Sequence, residues 1–451
     1  MRKRLVSRIA VALALTATTA LTTLTAGIAA QATDQATDQT GDQAAAQATA
    51  PAAASAGVTT EAVFNNPNGS RAEQLAIVNR QVELISGAPA GSRIRMAMFY
   101  ASHAPVVDAL AAAHQRGVRV QAVFDDKAVG SAPYGRLVSE LGTDTSAASW
   151  VMNCGKGRGC IGTREMGGVH AINHNKFLLF SETRGTRNVV LQSSSNLNDG
   201  RDGTKGWNNA LVLTGNDGIY RAYDAYFDDL AAREANSDYY TTGRRPVGSG
   251  QAKIHFYPRA EQPGANPYRD PSQDTVATIL SNVRCTGNSS VGTPRDHRTR
   301  IRVSMTAISR PYLAQQLAQL DAQGCEVEVA QTYDPSSKLE RESLENLLRP
   351  ASGRYGGVRV GYYCKPTAST WIHDKYLLIE GNYYNRPDRR IVWTGSHNWT
   401  GNSLRQSDET VLQLEDSAVF GAYARNFALT HAATTHQPAN GDAIACEPPK
   451  A

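Results

Sequence analysis

The stretch "HNKFLLFSETRGTRNVVLQSSSNLND", residues 174–199, returns in altered form as "HDKYLLIEGNYYNRPDRRIVWTGSHNWTGNS", residues 373–403. Each copy opens on His-x-Lys at the head of an apolar run, crosses a turn-rich segment, and enters a second apolar run that closes on a serine-bearing turn. Short apolar runs bounded by Gly, Asn and Asp read as β-strands, and two in succession as a hairpin. Residues i and i+2 of a strand point to the same side, so His174 shares a face with Lys176, and His373 with Lys375. Asn196 and Asn398 stand at matching places beyond the second run of their copies.

The duplication extends outward. "RIRMAMFYAS" from Arg93 and "RIRVSMTAIS" from Arg300 are alternating strands, and each is followed by an amphipathic stretch and then a glycine. The interval from Arg93 to Gly117 equals that from Arg300 to Gly324, and a second strand starts at each glycine. Downstream, Tyr220, Tyr223 and Phe227 recur at one constant offset as Phe420, Tyr423 and Phe427, the core-facing stripes of two closing helices. Each half therefore reads as an α/β sandwich with a mixed sheet, and the two are expected to face one another across a pseudo-twofold axis. This gives a first half over 58–245, a second over 246–440, and a tail over 441–451. Only facing halves bring two copies of one strand-end motif into a single cleft.

Outside the repeat, "MRKRLVSR" followed by an Ala- and Thr-rich apolar run has the layout of a signal peptide over residues 1–32. The threonines weaken the alternative, a retained membrane anchor. Residues 33–57 are Ala, Thr, Gln and Asp with little to bury, and read as a disordered tether. Removing residues 1–32 takes away Arg2, Lys3, Arg4 and Arg8 and no acid, so the formal charge falls from +5 to +1. A nearly neutral protein does not advertise general affinity for nucleic acid. The six cysteines of an exported chain point to disulfides: Cys154 with Cys160, Cys285 with Cys325, and Cys364 with Cys446. None of the spacings is a CxxC pair, so a zinc site is disfavoured.

Two imidazoles, two ammonium groups and two carboxamides converging on one cleft form a donor-rich cage whose natural tenant is a phosphodiester. The motifs resemble those of the phospholipase D superfamily, His-x-Lys-x4-Asp followed by Gly-Ser-x-x-Asn or a near variant. Where that pattern has Asp, this chain has Ser181 and Glu380, and the Gly395-Ser396 pair of the second copy is Ser193-Ser194 in the first. The resemblance implies a metal-free, cofactor-free mechanism in which His174 attacks phosphorus and His373 serves as acid and then base, with Lys176, Lys375, Asn196 and Asn398 on the non-bridging oxygens. It also implies that Glu409 orients the opposite-half histidine, His174. Asn209 stands at the corresponding place in the first half, and Ser194, Ser396 and Glu380 are supporting residues.

The activity expected from the resemblance is that of a secreted, monomeric phospholipase D. It would act on phosphatidylcholine-like lipid at a membrane or micelle surface, with water or a primary alcohol as acceptor. An extracellular nuclease of the same superfamily and a non-catalytic phosphate- or lipid-binding protein are the alternatives. Trp207, Trp371 and Trp399 are candidates for an acyl or interfacial rim, and His170 and His397 for substrate-side residues. Trp393 is expected in the core. His103, His114, His255, His297, His431 and His436 are expected at the surface.

Overall fold

The computed structural model describes residues 57–350 and 355–446; the expected signal peptide, nearly all of the tether and the end of the tail, 447–451, lie outside them. The chain divides into two units, Met1–Ala54 and Ser55–Ala451, and both sequence repeats lie in the second.

The two halves begin alike. Strand Arg93–Met98 leads through helix Ala104–Gln115 to strand Arg119–Phe124, and strand Arg300–Met305 leads through helix Pro311–Ala322 to strand Glu326–Tyr333. Both helices carry proline in their first turn, where its missing N–H costs nothing. Each strand pair is parallel, with Ile94 opposite Val120 and Ile301 opposite Val327. The motif hairpins then add antiparallel: Lys176–Thr183 with Thr186–Ser193, and Lys375–Tyr383 with Arg386–Gly395. Met98 faces Lys176, and Met305 faces Lys375, so the repeat holds to the single residue. The closing strands Asn209–Leu213 and Glu409–Leu414 complete the match, within one sheet of seven strands and one of nine.

Beyond their lysines the motif strands run apolar over Phe177–Phe180 and Tyr376–Ile379 because both faces are covered there. Leu178 and Phe180 point to an outer core shared with helices Ala76–Ser86, Ala104–Gln115 and Ala132–Leu141, while Phe177 and Leu179 point to a central core. In the second half Leu377 and Ile379 point outward, and Tyr376 and Leu378 inward. The central core also holds the closing helices Asp217–Ala232 and Ser417–Ala432, with Tyr220, Tyr223, Phe227, Phe420, Tyr423 and Phe427 all buried. Matching caps start these helices: the side chains of Asn216 and Asp416 accept from the N–H groups of Ile219 and Val419. The result is five layers, with two helices shared between facing sheets. The expected disulfides are present, Cys154–Cys160, Cys285–Cys325 and Cys364–Cys446.

Candidate active site

Two short parallel bridges cross between the halves at the strand ends. The His174 N–H donates to the Asp408 carbonyl at 3.0 Å and the Asp408 N–H to the Ile172 carbonyl at 2.9 Å. In mirror fashion, the His373 N–H donates to the Trp207 carbonyl at 2.9 Å and the Trp207 N–H to the Trp371 carbonyl at 2.8 Å. Each motif histidine is thus hung on the closing strand of the other half. The next residue along that strand reaches the ring: His174 Nδ1 lies 2.9 and 3.0 Å from the Glu409 carboxylate oxygens, and His373 Nδ1 lies 2.9 Å from Asn208 Oδ1.

Asn208, not Asn209, is therefore the counterpart of Glu409. Matched hydrogen bonds fix the register, Ser194 N–H to the Asn209 carbonyl and Ser396 N–H to the Thr410 carbonyl, so Asn209 corresponds to Thr410. The interval from His174 to Asn208 is slightly shorter than that from His373 to Glu409, because the intervening loops differ in length. Asn209 instead donates to Thr394 Oγ1 at 2.5 Å, next to the Tyr423 hydroxyl, while Thr410 donates to Gln192 Oε1 at 2.8 Å. These two contacts are equivalents across the pseudo-twofold axis. The serines support the same strands: Ser194 Oγ donates to Asn208 Oδ1 and accepts from the Asn209 N–H, and Ser396 Oγ accepts from the Thr410 N–H.

Lys176 and Lys375 are buried, and each donates to the carbonyl of its own motif histidine, at 2.7 and 2.6 Å; Lys375 also donates to Thr306 Oγ1. Burial pushes Lys176 down to about 7 against the pull of Glu409, Asp202 and Asp125. Lys375 is driven well below the usual lysine range by burial and then by the charge of Lys176. Burial also lowers His174, with Glu409 opposing, whereas burial, Lys375, Lys176 and His174 all press His373 well below its ordinary value. Burial works against the Glu409 charge, yet His174 and Lys176 hold the carboxyl down at about 2. Burial thus disfavours the charged form of both lysines and both histidines, a cost that an anion entering the site would offset.

A family model described as "Cardiolipin synthase, PLD-like domain" matches residues 82–231 and 296–430, well over half of the chain. The chain belongs to the phospholipase D-like family. Membership places it among proteins of phosphodiester and phosphoryl-transfer chemistry. Among solved structures it is similar to phosphatidylserine synthase of Haemophilus influenzae, at 13% identity over 84% of this chain and 87% of that one, with a TM-score of 0.53. It also matches a polyphosphate kinase of Porphyromonas gingivalis, at 14% identity over 82% of this chain and 50% of that one, with a TM-score of 0.48; the chain spans half the length of that enzyme. The phospholipase D family member Nuc of Salmonella typhimurium matches at 18% identity over 39% of this chain and 95% of that one, with a TM-score of 0.28. No curated protein matches by sequence.

In this phospholipase D-like site the remaining expected residues divide. Asn196 gives an amide hydrogen to Asp202 at 2.8 Å, and among the described residues neither its Oδ1 nor that of the half-buried Asn398 has a hydrogen-bond partner. Ser181 and Glu380 lie farther along the strands, on the sheet rather than at the histidines. Glu380 pairs with Arg302 and Arg390, while Ser181 Oγ accepts from the Arg93 N–H, and Arg93 and Arg95 turn to Asp224 instead.

Several aromatic expectations are corrected. Trp207 and Trp399 are buried core residues that line no rim. Each is drawn in by a short parallel bridge, Trp207 to Ile372 of the other half and Trp399 to Ile308 of its own. Trp371 is half-buried under the Arg201 guanidinium, 4.2 Å from its ring, and Trp393 is core as expected. His170 is exposed, 3.2 Å from Glu165, on a small hairpin of Glu165–Met166 with Val169–His170. His397 is buried against Tyr257, neither ring nitrogen has a hydrogen-bond partner among the described residues, and burial and Arg310 push it down to about 3. His255 is likewise buried rather than exposed, stacked on Tyr240. Phe99, which sequence reasoning passed over, sets its ring edge to His174 and lies 5.2 Å from the Lys176 ammonium. Cys154, Cys160 and Asp408 group three ligand-type atoms within 4.8 Å, but the sulfurs are bonded to each other and the carboxylate takes backbone N–H groups.

Proposed function

We propose that the protein is a secreted phospholipase D that cleaves phosphatidylcholine-like lipids to phosphatidate and a head-group alcohol through a phosphohistidine on His174. The observation that carries this reading is the buried His174–Glu409 pair beside two buried lysines. Glu409 holds the Nδ1 proton, leaving Nε2 to attack phosphorus. As the N–P bond forms, the P–O bond to the head group breaks and His373 gives its Nε2 proton to the leaving oxygen. Water then attacks phosphorus, His373 takes the water proton, and the N–P bond breaks. A primary alcohol in place of water gives the phosphatidylalcohol. Lys176 and Lys375 neutralise the non-bridging oxygens throughout.

Glu409 stabilises the cationic phosphorylated ring, which an asparagine does not do, and this favours His174 over His373 as nucleophile. Three disulfides support export to an oxidising compartment, in line with the leader-like sequence over 1–32. Choline release and plasmid nicking by the purified protein, each with and without EDTA and with added primary alcohol, test the reading. EDTA-resistant choline release, diverted by alcohol to phosphatidylalcohol, is expected. Nicking without choline release would assign a nuclease, and silence in both assays would leave a binding protein.

A further inference from the structure

Between the end of the strand Trp150–Asn153 and His174 the first half inserts a long loop, where the second half goes from Cys364 to His373 by a short one. Part of the excess is "CGKGRGCIG", residues 154–162, closed by the disulfide Cys154–Cys160. The loop delivers three successive N–H groups to the Asp408 carboxylate, from Cys160 at 2.6 Å, Ile161 at 3.2 Å and Gly162 at 2.6 Å. Glycines permit the approach. A Cβ on Gly159 would lie 2.7 Å from Asp408 Oδ2, and one on Gly162 would lie 1.9 Å from the Gln406 carbonyl oxygen. Arg158 pins the loop through the carbonyls of Gly159, Cys160 and Arg233, and the Asn236 N–H donates to the Ile161 carbonyl.

Asp408 is a fully buried acid outside the reacting groups, and burial pushes its carboxyl up to about 7 although the loop N–H groups pull the other way. Such a group needs a structural reason. Its backbone supplies one, because it accepts from the His174 N–H and donates to the Ile172 carbonyl. Its neighbour Glu409 holds the His174 ring. At the matching place in the first half stands Trp207, whose side chain is packed in the core.

We propose that the Cys154–Cys160 loop, acting through Asp408, is the positioning element of the nucleophile, fixing the backbone of residues 408–409 and with it both the main chain and the ring of His174. This rests on the reading of His174 as nucleophile. Among the described residues, the strand end that holds His373 is tied differently, by the Asn208 N–H to Asn65 Oδ1 at 2.8 Å and the Trp207 Nε1–H to the Tyr363 hydroxyl at 3.3 Å, and not by a disulfide-closed loop. A misplacement of about 1 Å at a reacting atom can cost on the order of a hundredfold in rate.

The test compares Cys154→Ala/Cys160→Ala, Asp408→Asn and the milder Arg158→Ala with a control, Cys285→Ala/Cys325→Ala, whose disulfide lies in the outer core of the second half. The first readout is NMR of the His174 ring, its Nδ1 proton resonance and its titration, which needs no substrate. The second is kcat and KM for a soluble phosphodiester. Loop and Asp408 variants are expected to move the His174 signal and to lower kcat roughly tenfold or more with KM within about twofold, while the control loses thermal stability and keeps both. An unchanged His174 resonance and kcat in a folded loop variant would overturn the proposal. So would equal losses in the two disulfide variants, or failure of all three loop-side variants to fold while the control folds, since each would mean the loop serves stability alone. If the wild type hydrolyses no phosphodiester, the functional reading fails while the NMR comparison still decides whether the loop positions His174.

Discussion

The first and second halves share the register of their motif strands and differ in what they attach to their histidines. His174 leans on a carboxylate, Glu409, and on a loop-braced strand; His373 leans on a carboxamide, Asn208, and on a tryptophan position. Both supports come from the opposite half. The lysines, their carbonyl contacts and the serine-held turns are alike in the two copies. Symmetry therefore builds the pocket, and a few unsymmetrical groups distinguish the two histidines within it.

The largest expected effect comes from removing the histidines themselves. His174→Ala, which removes the proposed nucleophile, should lose on the order of ten-thousandfold or more with every substrate. His373→Ala should lose roughly 10²–10⁴-fold with a choline leaving group, and recover much of that with a nitrophenol, which departs without an acid. Rapid quench of His373→Ala with the activated substrate should place phosphate on the His174 peptide. Phosphate on the His373 peptide in the reciprocal variant reverses the roles of the two halves.

The orienting groups come next. Glu409→Gln should lower kcat by about a hundredfold or more, because the ring proposed to carry the phosphoryl group loses its counter-charge. Asn208→Asp should act on the pH profile. His373 must be protonated to act as an acid, so activity fades as pH rises through its pKa, and that pKa is held well down by burial and neighbouring cations. A carboxylate at 208 raises it, so the alkaline limb of kcat against pH should move to higher pH. A stationary limb would mean that the two anchors are interchangeable in charge.

The smallest effect should be Ser181→Asp, which restores to the first copy the acid of the resemblance. Ser181 lies along the sheet and not at the histidines, and Arg93 and Arg95 already have Asp224. Denaturant unfolding should shift by no more than about 1 kcal/mol, with kcat unchanged. A large gain in kcat would bring that position into the chemistry.

Much of this was legible in the chain because the repeat is carried by local pattern. Alternating strands at a fixed interval ahead of a glycine, aromatic stripes at a constant offset and the His-x-Lys pairs need no tertiary knowledge. The Asn208–Asn209 choice did, since two adjacent asparagines satisfy the spacing and only backbone pairing tells them apart. Trp207, Trp399 and His255 were misplaced for a related reason. Local sequence gives the face of a strand, but not what covers its end. Nor does any local signal link Gly162 to Asp408, which meet from opposite halves of the chain.

The crossed backbone bridges carry one more consequence. Each histidine takes its main-chain partner from the half to which it does not belong, so parting the halves unhitches both rings in the same movement. Competence arrives whole, when the seam closes.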